Sequence, residues 1–124
     1  MTNSIRSKSR SFGNLEKFVE PCILLLLSKY PSHGYGLMED LEKHCGHKVD
    51  IGNLYRTLRK MESNKWISSD WQKNKIGPDK RKYRITAEGK TVLHGAVTSL
   101  SKTYNLLSRF MVGYKKIFGK GTII

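Results

Sequence analysis

The chain has 124 residues, enough for one domain, or one domain plus an appendage, with a modest core. Its 23 Lys and Arg against 10 Asp and Glu leave a formal charge of +13. Solubility of a small domain needs only about 2 to 8 charges, so this excess points to a polyanionic partner and away from a small soluble enzyme. Two cysteines, Cys22 and Cys45, sit in apolar patterns and are too few for a disulfide framework, which favours a reducing cytoplasm. The longest apolar run, "CILLLL" at 22 to 27, falls far short of the ~20 residues that cross a bilayer.

In chain order, "MTNSIRSKSRSFGN" is basic and Ser-rich, lacks the apolar core of a signal peptide, and reads as a flexible arm. Leu15, Phe18, Val19, Cys22, Ile23, Leu26 and Leu27 recur at helical spacing and predict a first helix over about 15 to 29. Pro21 lies inside that pattern, so the helix kinks there or properly begins there. "YPSHGYG" follows, with Pro31 as breaker and Ser32 as the expected N-cap of a second helix reaching about Cys45. That helix buries Leu37, Met38 and Leu41 and exposes Glu39, Asp40, Glu42 and Lys43. "CGHKVD" ends it, with Gly46 as C-cap and Asp50 as N-cap of a third helix running to about Asn64.

After Asn64 the pattern changes. "WISSDWQ" at 66 to 72 and "RKYRIT" at 81 to 86 are short and rich in aromatic and β-branched residues. "KNKIGPDK" between them carries the turn signal Gly77-Pro78-Asp79, which predicts a β-hairpin with a basic tip. Trp66 and Trp71 are expected to pack this hairpin against the helices. A long helix then runs from Ala87 to about Phe118, with Thr86 as N-cap and Glu88 in its first turn.

The third helix, "IGNLYRTLRK", separates into two faces. Ile51, Leu54, Leu58 and Met61 form the core side. Gly52, Arg56, Arg59, Lys60 and Ser63 form the other, with Asn53 and Tyr55 on its flanks. A cationic helical face is most often merely solvated. Here, however, the element order is that of a helix-turn-helix followed directly by a wing, in which the second helix of the motif enters the major groove. Between Asn53 and Arg84 ten basic residues stand against three acids, so the charge gathers on the two elements that would meet DNA. Small residues allow close approach, Arg can pair with guanine or phosphate, and Asn with adenine.

"ILLLLSKYPSHGYGLMEDL", "NLYRTLRKMESNKWI" and "KRKYRITAEGK" resemble, in order and spacing, blocks of the PadR-like winged-helix transcription regulators, from about Ile23 to Lys90. The last block departs by one residue, with "KYRIT" where many members carry two aromatics before the basic residue. The resemblance implies a homodimeric DNA-binding repressor. It places Tyr35 near the phosphate backbone, Asn53, Tyr55, Arg56, Arg59 and Lys60 in the major groove, and Lys73, Lys75, Lys80 and Arg81 of the wing on backbone or minor groove. Family members of this length end in one long helix that pairs the subunits. In this chain Leu93, Val97, Leu100, Tyr104, Leu107, Met111, Tyr114 and Phe118 repeat with heptad spacing, the pattern of helix pairing. Gly95 and Gly113 interrupt that helix, and close helix approach would account for them. No acid follows Glu88, while Lys90, Lys102, Arg109, Lys115, Lys116 and Lys120 do.

The expected architecture is mainly α with a small β-hairpin: a winged helix-turn-helix plus a long C-terminal dimerisation helix. Its division is an arm over 1–13, a DNA-binding domain over 14–86, the dimerisation helix over 87–118 and a tail over 119–124. His44, Cys45 and His47, with His33 as a further candidate, invite a metal-site reading, but the first three lie at a helix end and no second ligand cluster repeats their spacing. No metal or other cofactor is therefore expected, and no catalytic constellation can be assembled. A small-molecule effector stays open: some relatives bind flat aromatic drugs between tryptophans of the paired closing helices, and this helix has none. The competing readings are a basic architectural protein that binds DNA without sequence preference, and a protein-interaction adaptor on the same scaffold. A membrane-surface role ranks last, because the closing helix has its apolar stripe in a pairing register.

Overall fold

The computed structural model describes residues 17–119; the expected arm, Leu15 and the tail beyond Gly119 lie outside the described residues. Four helices and a three-stranded antiparallel sheet follow one another as α1 (Val19–Lys29), β1 (Ser32–His33), α2 (Gly34–Cys45), α3 (Ile51–Ser63), β2 (Ile67–Gln72), β3 (Lys80–Ile85) and α4 (Ala87–Phe118). The fold is mainly helical, with a wing of two strands directly after the second helix of the helix-turn-helix.

Pro21 is the third residue of α1, where a backbone N–H has no partner within the helix, so the ring costs no bond and forces no kink. The helix closes its first turns around it through Glu20 N to Lys17 O (3.2 Å) and Cys22 N to Phe18 O (3.3 Å). Pro31 biases Tyr30 to extended backbone, and Tyr30 ends α1 with φ −168° and ψ 156°.

Ser32 corrects one expectation. It does not cap α2; His33 stands at that position, with no side-chain cap bond. Ser32 and His33 instead add a short strand to β3, pairing Ser32 with Tyr83 and His33 with Lys82. Pro31 holds Tyr30 extended and so delivers Ser32 and His33 to the open edge of β3, where they pair with its backbone groups, and the sheet order is β1-β3-β2 and not a bare hairpin. The wing register is unbroken from Ile67↔Ile85 to Gln72↔Lys80.

The other caps fall where the sequence puts them. Gly46 ends α2 in the left-handed conformation, Asp50 caps α3, and Thr86 caps α4. The end of α3 is a Schellman turn, Lys65 N to Glu62 O (2.9 Å) and Trp66 N to Met61 O (3.0 Å), with Lys65 in the left-handed region at φ 67°.

Ile23, Leu24 and Leu27 of α1, Leu37 and Leu41 of α2, Leu54, Leu58 and Met61 of α3, Ile67 and Tyr83 of the wing, and Leu93 of α4 make one buried core. Met38 is half-buried at its edge. Burial of each such aliphatic side chain is worth about 1.5 to 3 kcal/mol. Leu93, the first residue of the heptad seam, is spent in this core, because the start of α4 lies over α1. Past it, α4 buries no residue among those described. Tyr104, Leu106, Leu107, Phe110, Ile117 and Phe118 are each more than half exposed. An added Cβ at Gly95 or Gly113 would meet nothing within 4 Å, so packing inside the chain does not require either glycine. Among the described residues no helix is long and apolar enough to cross a membrane.

Candidate nucleic-acid interface

The N-terminus of α3 is fixed by Asp50. One carboxylate oxygen accepts from the Asn53 backbone N–H (2.8 Å) and the other from the Asn53 side-chain amide (2.8 Å). Arg56, one turn on, donates from Nη2 to Asn53 Oδ1. Gly52 beside them leaves the outer surface low; a Cβ there would stand 3.5 Å from Asp50 Oδ1, an ordinary contact, so space outside the helix is what the glycine supplies. Arg56 and Arg59 are exposed. Lys60 lies round the helix toward α1, where its ammonium stands 3.3 Å from Glu20 Oε2.

The wing is braced against the end of α3. Ser69 of β2 donates to Glu62 Oε2 (2.8 Å), and Arg81 Nε of β3 donates to the same Ser69 hydroxyl (2.7 Å). The Arg81 guanidinium is 4.0 Å from Glu62 Oε1 and lies 5.1 Å from the centre of the Trp71 ring. Outside this brace, Arg84 and Asp70 pair across the strands at 3.7 Å. The turn is held by Asn74, whose backbone N–H donates to Asp79 Oδ1 (3.1 Å) and whose amide donates to Pro78 O (3.2 Å). Lys73 and Lys75 project from it into solvent. Among the described residues, Arg56, Arg59, Lys73, Lys75, Lys80 and Lys82 form no ion pair.

Between α3 and the wing runs a cleft of about 480 Å³, lined by His33, Gly34, Tyr35, Tyr55, Arg59, Trp71, Pro78, Asp79, Lys80, Arg81 and Tyr83. It gathers five of the ten residues singled out in the sequence: Tyr35, Tyr55, Arg59, Lys80 and Arg81. Asn53 and Arg56 stand on the outer face of α3, Lys73 and Lys75 at the tip, and Lys60 toward α1. Tyr55 is half-buried and lies so close over Gly34 that a Cβ there would be 2.5 Å from its hydroxyl, which locks α3 onto the start of α2. Tyr83 forms the cleft floor; burial raises its phenol pKa, an effect the neighbouring Arg81 partly offsets.

Trp71 corrects a second expectation. Inward alternation along β2 runs Ile67, Ser69, Trp71, but the hairpin has already passed the helical body at Trp71. Its ring is therefore 62% exposed and covers Arg81 rather than a helix. Trp66 does pack on the core. His33 was not picked out as a cleft residue; its Nε2 lies 3.2 Å from Gln72 Oε1, so β1 also touches the end of β2. Only its place beside Gly34 hints at this, and a two-residue strand has no periodicity to reveal it. Among the described residues no group of three or more His, Cys, Asp or Glu is arranged to hold a metal ion.

Residues 23–95 match the transcriptional regulator PadR-like family, well over half of the chain. The chain belongs to that family. A probable transcriptional regulator of Mycobacterium tuberculosis is 33% identical over 73 residues, which cover 57% of this chain and 39% of that protein. The chain thus matches well under half the length of that curated relative. Among solved structures, a PadR-like transcriptional regulator from Bacillus cereus shares 28% identity, covering 75% of this chain and 90% of its own, with a TM-score of 0.67. Bacillus subtilis PadR, solved in complex with operator DNA, shares 23% identity over 65% of this chain and 47% of its own, with a TM-score of 0.61, a likeness of fold. The PadR-like family and these relatives are transcriptional regulators, not enzymes.

Proposed function

We propose that this PadR-like chain is a sequence-specific, homodimeric DNA-binding repressor that acts on an inverted-repeat operator. The observation that carries the reading is the set of cations without ion-pair partners on the outer face of α3 and on the wing, flanking one aromatic-floored cleft. α3 enters the major groove, Arg56 reaches base edges, and Arg59 with Tyr35 and Tyr55 flanks the backbone. Lys73, Lys75, Lys80 and Arg81 follow phosphates or the minor groove, and Lys60 contributes at the far end of the helix. Residues 14–86 form the DNA-binding unit and 87–118 the pairing helix. Pairing is supported by the exposed apolar seam from Val97 to Phe118, too long for α1 alone to cover. The place of action on this reading is the cytoplasm, which the free cysteines Cys22 and Cys45 favour.

The test is selection of bound duplexes from a random library by the full chain. An imperfect inverted repeat with half-site centres about 10 bp apart, or a multiple, is the expected product. Enrichment of no sequence despite tight binding would make the chain an architectural protein, and no binding at low salt would make it an adaptor; either result overturns the proposal.

A further inference from the structure

The hydrogen bonds at the start of α3 bear on how a base would be chosen, given the DNA-binding reading above. Asn53 is the residue whose type suggests adenine, since its amide can donate and accept along one edge of that base. In this chain each atom of that edge already holds a partner, which leaves the amide one N–H and one lone pair. Nδ2 donates to Asp50 Oδ2 at 2.8 Å, and Oδ1 accepts from Arg56 Nη2. Asp50 is itself immobilised, because its other oxygen caps the helix through the Asn53 backbone N–H at 2.8 Å. The order of the chain is therefore cap, amide, guanidinium, each holding the next.

We infer that Asn53 is a positioning residue for Arg56 rather than a reader of adenine, and that Asp50 sets the orientation of both. Asp50 fixes which way the amide faces, because a carboxylate accepts only the NH₂ end and leaves the carbonyl end toward Arg56. That bond uses one of the five N–H groups of the guanidinium and leaves the others for the O6 and N7 of guanine. A side chain already held in its docking direction loses less freedom on binding, which sharpens discrimination at that one base pair. The half-site is thus specified by guanine opposite Arg56, with no separate adenine determinant at Asn53.

The experiment is the same duplex selection run on the full-length native chain, Arg56→Ala, Asn53→Ala, Asn53→Asp and Asp50→Ser, with thermal unfolding of each. Asp50→Ser retains a good N-cap but lacks the second oxygen that holds the amide. Asn53→Asp retains an oxygen for Arg56 while placing a carboxylate near DNA. The expected result is that Arg56→Ala and Asn53→Ala relax the same base pair, the first by roughly tenfold or more and the second by about three- to tenfold. Asp50→Ser relaxes that pair by a smaller factor with little change in melting temperature. Asn53→Asp, which keeps an oxygen for Arg56 but faces Asp50 with a second carboxylate, retains more of the guanine preference than Asn53→Ala although total affinity falls. Relaxation by Asn53→Ala at a different base pair would show that Asn53 reads a base itself and would overturn the inference. So would an unchanged preference in both Asn53→Ala and Asp50→Ser. Failure of the native chain to enrich any sequence is a separate outcome, and it removes the sequence-specific reading together with this one.

Discussion

Replacing Gly89 with Ala should unsettle the junction between the wing and α4. A Cβ at Gly89 would stand 2.1 Å from Trp66 O, 2.8 Å from Ile85 Cγ1 and 3.0 Å from Trp66 C. The first of these neighbours is backbone, so relief requires the start of α4 to move by roughly 1 Å to restore ordinary contact. That movement pulls on Thr86, whose N–H donates to Trp66 O (3.1 Å) and whose hydroxyl lies 2.7 Å from Lys65 O and 3.0 Å from Trp66 O. Overpacking costs about 1 to 3 kcal/mol, and each weakened hydrogen bond about 0.5 to 1.5. The better helix propensity of Ala returns about 1 kcal/mol, so with the Thr86 N–H and hydroxyl bonds both weakened the net loss is about 1 to 5 kcal/mol. In a domain of this size the melting temperature should fall by about 5 to 20 °C. Gly95→Ala is the matched control, since nothing lies within 4 Å of its added Cβ. Within a single chain it should keep or raise stability by up to about 1 kcal/mol. Both are read by far-ultraviolet circular dichroism at one fixed protein concentration, because pairing would make melting concentration-dependent. Gly89→Ala melting at or above the native temperature would refute the close-packing reasoning.

Lys65→Gly should raise the urea midpoint by about 0.5 to 1 kcal/mol equivalent, because a side chain at φ 67° pays a strain that glycine does not; a lower midpoint would contradict it. Burial, followed by its contact with Cys45, pushes the Cys22 thiol from 9.0 up to about 12, so iodoacetamide at pH 8.5 should label Cys22 only after denaturant is added. The raised folded value means that the Cys22 contribution to stability is complete below about pH 9 and is lost as pH rises toward 12, a loss that Cys22→Ala should remove from the alkaline limb of a pH–stability curve. Leu107→Lys, on the exposed seam, should give monomers by light scattering where the native chain is dimeric, and a native monomer at micromolar concentration would end the pairing proposal. Lys73→Ala should weaken operator and random duplex alike and flatten the log-affinity against log-salt slope by roughly 1 per lost phosphate contact, whereas a collapse of the operator-to-random ratio would assign sequence reading to the wing.

The parts of this fold that local chemistry dictates were legible in the sequence. The caps at Gly46, Asp50 and Thr86 and the buried face Leu54, Leu58, Met61 follow from neighbours within one or two turns, and each lies where its pattern puts it. Ser32 went astray because a hydroxyl after Pro31 serves equally well before a helix or inside an extended pair. The choice was made by the free edge of β3, some fifty residues on. Trp71 went astray because alternation tells which side of a sheet a residue occupies, not how far the hairpin projects beyond the body. The cationic face of α3 was readable as a set of residues. The partners that differentiate its members were not: Lys60 meets Glu20, forty positions away, while Arg56 meets Asn53 on its own helix.

That differentiation extends to the acids around the cationic surface. Asp50 holds Asn53, Glu62 holds Ser69 and Arg81, Asp70 pairs with Arg84, Asp79 accepts from Asn74, and Glu20 meets Lys60. Glu20, Glu62 and Asp70 each have a cation within 4.0 Å that offsets their charge, while Asp50 and Asp79 accept from neutral N–H groups and fix the start of α3 and the wing turn. The Asp70–Arg84 pair is largely exposed and contributes little to stability, within about 1 kcal/mol. Glu62 differs, because it joins α3 to both wing strands through Ser69 and Arg81. On the DNA-binding reading, neutralising either acid raises net charge and hence attraction to any duplex. Only loss of Glu62 also frees the wing from the angle at which α3 and the lysine-bearing tip address the same duplex. On the same reading, positive charge by itself secures adhesion to DNA, and these few carboxylates turn adhesion into the fixed orientation that telling one base pair from another requires.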